Sequence, residues 1–236
     1  MYGGFSITYL VITFGFMAIG WLVSNRLKNK FTQYSRTSLM SGFSGKEIAE
    51  KMLRDSGIYD VSVICVAGKL TDHYNPINKT VNLSQAVYHG RNAAATAVAA
   101  HECGHAVQHA TAYSMLKFRS ALVPLQNIAS KMINILAFAS LLAGFAFGML
   151  GDTILLAIIA GYAVFTLFSM VTLPVEFDAS KRALQWISNH GVVTEKEYKM
   201  SKDALFWAAM TYVVAALSSL ATLLYYVMMF LNRGDD

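Results

Sequence analysis

Charge is the scarcest feature of this 236-residue sequence: Asp, Glu, Lys and Arg together make up 14 %, against 55 % hydrophobic residues and a mean hydropathy of +0.43. Ordinary soluble domains carry roughly a quarter charged residues. This much apolar content excludes a disordered chain, and so little charge excludes an ordinary soluble globule. Cysteine is nearly missing as well. Cys65 and Cys103 make no disulfide framework, so the fold stands without staples, as suits a reducing compartment. Three prolines and sixteen glycines rule out collagen-like and Pro-rich low complexity, and the chain has no internal repeat. A net charge of +5 does not make it a nucleic-acid binder, because the basic residues form no aromatic-lined stripe.

What is present is a set of four uncharged stretches, residues 1–25, 132–151, 153–175 and 204–232. Each is long enough to cross a hydrocarbon core, which takes about 20 helical residues. A helix satisfies its backbone donors and acceptors internally, so lipid accepts it. The first stretch reads as a retained anchor, because it has no basic segment ahead of it and ends in Arg26-Leu27-Lys28-Asn29-Lys30 instead of a small-residue cleavage site. Lys and Arg accumulate on the cytoplasmic side of membranes. Twelve of the nineteen lie between Arg26 and Arg119 and five between Lys181 and Lys202, while Gly151-Asp152 carries none. The expected layout is a multi-pass cell-membrane protein in which residues 26–127 and 176–203 face the cytoplasm. Gly144 and Gly148, with Ser140 one turn earlier, present a small-residue face. It packs against the neighbouring span or forms a seam with a second copy or another membrane protein.

Within residues 26–127, Ser44 and Glu47 form a capping box, and Ile48, Met52 and Leu53 recur on one helical face until Gly57. Residues 60–66, 70–74 and 80–84 alternate as short strands, with Asn75-Pro76 as a turn. Residues 91–112, rich in alanine, predict a long helix. The expected unit is α+β.

That long helix carries His101-Glu102-Cys103-Gly104-His105. Two histidines four apart lie about 40° from each other on a helix, so both imidazoles can address one ion. This is the H-E-x-x-H zinc pattern, in which the metal lowers the pKa of a water and polarises a carbonyl while the glutamate serves as general base. Catalytic zinc takes a third protein ligand and keeps one position open. After two spans the chain returns to the same membrane face, and the first charged residue there is Glu176. Pro174 is expected to begin a new helical segment there. Asp178 competes as the third ligand, and His73, His89, His109 and His190 remain candidates. His73, Tyr74 and His190 are polar candidates for stabilising an oxyanion. Residues 80–84 are a candidate edge strand on which an extended substrate could pair.

The sequence resembles the YugP-like membrane zinc metallopeptidases of bacteria. The residues that carry the resemblance are Leu70-Thr71-Asp72-His73-Tyr74-Asn75-Pro76, Val81-Asn82-Leu83-Ser84, Ala99-Ala100-His101-Glu102-Cys103-Gly104-His105-Ala106-Val107-Gln108-His109 and Leu173-Pro174-Val175-Glu176-Phe177-Asp178-Ala179-Ser180. The resemblance implies an integral membrane zinc endopeptidase acting on peptides or proteins, with one Zn2+ per chain held by His101, His105 and Glu176, and with Glu102 as the catalytic acid/base. The implied architecture is mainly α. A transmembrane anchor (1–25) precedes a zincin-like cytoplasmic domain (26–127), a transmembrane hairpin (128–175), a cytoplasmic helical segment bearing the third ligand (176–203), and a last transmembrane helix with a short tail (204–236). In the wider class, which includes the CAAX prenyl endopeptidases, the glutamate is often followed four residues later by Asp. Here that position is Ser180, which can hydrogen-bond a ligand histidine but brings no charge. From a different class comes a zinc-holding membrane scaffold without turnover. Glu102 argues against it, because a purely structural site needs no carboxylate there.

Overall fold

The computed structural model describes residues 7–143 and 151–232. These fold into seven helices and three strands: α1 (Ile7–Tyr34), α2 (Gly45–Asp55), β1 (Ser62–Val66), β2 (His73–Asn75), β3 (Thr80–Ser84), α3 (Gln85–Tyr88), α4 (Ala93–Ala110), α5 (Ser114–Ala143), α6 (Gly151–Asn189) and α7 (Glu195–Leu231). The chain divides into two compact units, one of Met1–Leu22, Phe118–Leu173 and Thr211–Asp236, the other of Val23–Lys117 and Pro174–Met210.

The first unit is helical and carries large apolar side chains on its surface as well as in its interior. Phe14, Trp21, Ile135, Leu156, Leu167, Leu224 and Met228 lie exposed on its outside. Thr13, Ser169, Thr211 and Ser218, together with Phe16, Met17 and Val214, line a partly open cavity of about 720 Å³. Large apolar side chains gathered on an outer surface suit contact with lipid. Tyr9, Tyr162, Tyr225 and Tyr226 cluster in the same unit, with Tyr9–Tyr225 and Tyr162–Tyr226 ring centroids both 5.5 Å apart. Among the described residues, α1, α6 and α7 are long and apolar enough to cross a membrane. The expected span over residues 132–151 falls on α5 and then on residues 144–150. Gly144 and Gly148 lie outside the described residues.

The second unit is the α+β one. At the start of α2, the Ser44 N–H donates to Glu47 Oε2 at 2.7 Å and the Glu47 N–H to Ser44 Oγ at 3.3 Å, which closes the capping box. Gly57, at φ +72°, takes the left-handed conformation that ends the helix at little steric cost. The sheet has the order β1-β3-β2, with β1 parallel to β3 (Ser62 opposite Thr80) and β2 antiparallel to it (Tyr74 opposite Val81). Ile48, Ala49, Met52 and Leu53 of α2, Val81 and Leu83 of β3, and Ala183 and Ile187 of α6 bury around α4. Ala93, Ala94, Ala95, Ala97, Ala99 and Ala100 are all fully buried, so neighbours close around the first half of α4, where small side chains let them approach.

Two expectations need correction. Residues 80–84 do form a strand, but β3 is the central one, and the free edges belong to β1 and β2. The Asn75-Pro76 turn folds β2 back onto β3, with Asn75 Oδ1 accepting from the Ile77 and Asn78 amides, and so occupies the edge that the strand pattern alone leaves open. Pro174 does not begin a helix either. It sits inside α6, which runs unbroken from Gly151 to Asn189. Its fixed φ suits a helix, and the lost bond is a local cost that neighbouring groups can offset.

Candidate metal centre

Helix α4 presents the two histidines. Asn92 caps it, its Oδ1 accepting from the Ala95 amide at 2.9 Å. The i, i+4 spacing sets the His101 and His105 rings edge to face with centroids 4.8 Å apart. Glu176 comes from α6. One of its oxygens, Oε2, lies 3.3 Å from His101 Nε2 and 3.5 Å from His105 Nε2. The three side chains are nearly buried, at 14 %, 12 % and 4 % exposure. Among the described residues this is the one grouping of three His, Cys, Asp or Glu side chains close enough to share an ion, with ligand atoms within 4.8 Å of one another.

Both imidazoles are held from behind. His101 Nδ1 faces Ser180 Oγ at 3.1 Å, and His105 Nδ1 faces Gln108 Oε1 at 3.0 Å. Gln108 is fully buried and donates through Nε2 to the Val175 carbonyl at 2.7 Å and to Asp178 Oδ2 at 2.9 Å. Asp178 in turn accepts from Arg182 Nε at 2.6 Å. Burial would pull the His105 pKa down, but the bond to Glu176, the charges of Glu102 and Glu176, and Gln108 outweigh it and raise the value. The pocket thus favours positive charge at this point.

Glu102, one residue past the first histidine, is buried, and its Oε2 accepts the Tyr74 backbone N–H at 3.0 Å. Tyr74 lies on the edge strand β2, and its outward-facing amide is the one that holds the carboxylate. Cys103 points elsewhere. Its thiol contacts the Ala49 carbonyl at 3.5 Å, and burial pushes its pKa well up, which suits a packed core thiol and not a ligand.

The structure therefore brings His101, His105 and Glu176 together. The competing candidates engage elsewhere: Asp178 with Gln108 and Arg182, His73 with the Thr71 carbonyl, His109 with the Tyr74 hydroxyl, and His190 with the Trp186 carbonyl and Asp55. His89 packs its ring against Tyr88. Gln108 and the Tyr74 amide are participants that motif reading misses. A polar amide three residues beyond His105, on the same face of the helix, is the signal in the sequence that points to Gln108.

Two imidazoles and a carboxylate, with no fourth His, Cys, Asp or Glu grouped with them among the described residues, match the donor set that a catalytic zinc site uses, in which one position stays open. The residues fit that ion. Residues 9–231 match the family described as "Putative neutral zinc metallopeptidase". A protein of Bacillus subtilis (strain 168), "Putative membrane protease YugP", is 39 % identical over 228 residues, covering 97 % of this chain and 99 % of that one. No solved structure matches the chain.

Proposed function

The chain belongs to this zinc metallopeptidase family, and from that premise we propose that it is a membrane-embedded zinc endopeptidase that cleaves membrane-associated or misfolded proteins. The observation that carries the reading is the Glu176 carboxylate lying within 3.5 Å of both Nε2 atoms, although 75 residues separate it from His101. In this reading His101, His105 and Glu176 hold one zinc per chain. When bound, zinc lowers the pKa of a water and polarises the scissile carbonyl.

The rest falls to the chain's own side chains. Glu102 takes the proton of the attacking water and passes it to the leaving amine. The Tyr74 amide holds one of its two oxygens in place, so the carboxylate meets the water in one orientation. Ser180 and Gln108 aim the two imidazoles. Strand β3 is paired on both sides, so an extended substrate would not add to it; along β2, the edge nearest Glu102, the outward Tyr74 amide is already held by Glu102, which leaves the Tyr74 carbonyl to accept from a substrate amide. The four-span layout and the cytoplasmic placement of residues 26–127 and 176–203 belong to the same proposal, supported by the distribution of Lys and Arg.

Glu102→Gln tests it. In detergent-purified protein the variant should retain zinc by metal analysis and lose hydrolysis of a casein-type substrate. Hydrolysis at the parent rate would remove Glu102 from its role. A site that retains zinc with no turnover in the parent protein would favour a scaffold.

A further inference from the structure

We propose that His109 is a positioning residue for the general base. Through the Tyr74 hydroxyl it latches strand β2 onto α4 and so keeps the Tyr74 amide on Glu102. The inference rests on the endopeptidase reading above and deepens it. Tyr74 reaches α4 at two points. Its backbone N–H donates to Glu102 Oε2 at 3.0 Å, and its phenol oxygen lies 2.9 Å from His109 Nδ1, with the ring centroids 5.8 Å apart. A hydroxyl can donate or accept, so this second bond forms with either form of the neutral imidazole. Glu102 and His109 are seven residues apart, which is about 20° short of two full turns and about 10.5 Å along the axis. One residue of β2 therefore runs lengthwise along a single stripe of the helix. Ala106, midway on that stripe, is buried and carries only a methyl, and Tyr74 packs against the core cluster to which it belongs.

Strand β2 needs such a tie. It has three residues and pairs only with β3, and a short element with few partners opens locally at small cost. A substrate strand added to this edge would bear on the same residue, through the Tyr74 carbonyl. The amide–carboxylate bond alone leaves the far end of Tyr74 free to swing, whereas the bond to His109 fixes it two turns away.

The metal ligands do not share this support. His101, His105 and Gln108 form a neighbouring face of α4, centred about 100° round the helix from the Glu102–His109 stripe. Their partners are Glu176, Ser180, Val175 and Asp178, all on α6. Helix α6 thus holds the ligands and strand β2 holds the base, so loosening the latch disturbs one half of the site without the other.

The test uses the full chain in detergent and three measurements. These are kcat on a casein-type substrate, zinc affinity by competition against a chromogenic chelator, and hydrogen exchange of the Tyr74 amide by NMR of nitrogen-15-tyrosine protein (assigned by its loss in Tyr74→Phe). Tyr74→Phe and His109→Phe each remove one partner of the latch. Each should lower kcat roughly 3–10-fold, the worth of one hydrogen bond, and leave zinc affinity at the parent value. Exchange of the Tyr74 amide should quicken by a similar factor in His109→Phe. The double variant should be no slower than either single one. His109→Asn, which keeps a polar atom near the place of Nδ1, should recover the parent rate. His109 is exposed, so its replacement leaves the core intact. Parent-like kcat in His109→Phe overturns the proposal, as do losses that multiply in the double variant or zinc affinity that falls along with kcat. A parent protein without zinc-dependent hydrolysis would instead sink the endopeptidase reading. The exchange comparison would then still decide the latch, and an unchanged Tyr74 amide in His109→Phe would overturn it.

Discussion

Gly104 of α4 and Ala179 of α6 meet backbone to backbone: a Cβ on Gly104 would stand 2.5 Å from the Ala179 carbonyl oxygen and 3.1 Å from its Cα. Glycine within the His-Glu-Cys-Gly-His run thus lets the helix that carries the imidazoles approach the helix that carries Glu176. Gly104→Ala adds intrinsic helix propensity to α4, yet it should destabilise the protein by about 1–3 kcal/mol, because the two helices must separate. Metal content should fall with it, since the separation draws Glu176 from His101 and His105. Thermal unfolding and zinc stoichiometry measured together check this. A stabilised Gly104→Ala with full zinc would show that the approach is not needed.

The carboxylate itself can be tested without a change of volume. Glu176→Gln leaves the side chain's shape and removes its charge, so zinc affinity should drop by more than the roughly 10–100-fold that losing an outer partner costs. Far-UV circular dichroism should stay at the parent value. Full zinc occupancy at parent affinity would move the third ligand to another residue.

The central position of β3 changes what a proline would do there. Val81 is fully buried between β1 and β2. Val81→Pro should therefore destabilise the whole unit, by about 3 kcal/mol or more, and lower zinc content and cleavage together. The edge reading belongs to β2. Peptide substrates N-methylated at alternate residues along the bound stretch should be cleaved more slowly in one register than in the other. Equal rates in both registers would count against strand addition.

Asp55 ties α2 to α6 by accepting from Trp186 Nε1 at 3.1 Å, with Lys51 at 3.0 Å. Burial alone would raise its pKa, but the bonds from Lys51 and Trp186 outweigh it and hold the value below the usual one. A carboxyl depressed in the folded state stabilises above its unfolded pKa, and that contribution fades as pH falls through the folded value. Asp55→Asn should lower the melting temperature at pH 6 and flatten its decline below about pH 4. A variant whose decline parallels the parent's would place the acid sensitivity elsewhere.

Much of this was legible in the residues themselves. The apolar stretches, the capping box of α2, the three short strands and the alanine-rich helix all follow from local composition and spacing, which act over a few residues. The His-Glu-x-x-His spacing fixed two imidazoles on one face of α4, because a helix has only one period. Glu176 was approachable through topology, as the first charge after the chain comes back. Pairing order was not legible: whether a five-residue strand is central or at an edge depends on where a turn sends its neighbour. Continuity through Pro174 was not legible either, since it depends on surroundings that offset a missing N–H. Only the tertiary structure brought Gln108 between His105 and Asp178, and Tyr74 against Glu102. The Tyr74–Glu102 and Gln108–Asp178 bonds join positions 28 and 70 residues apart, and no local rule acts over that distance.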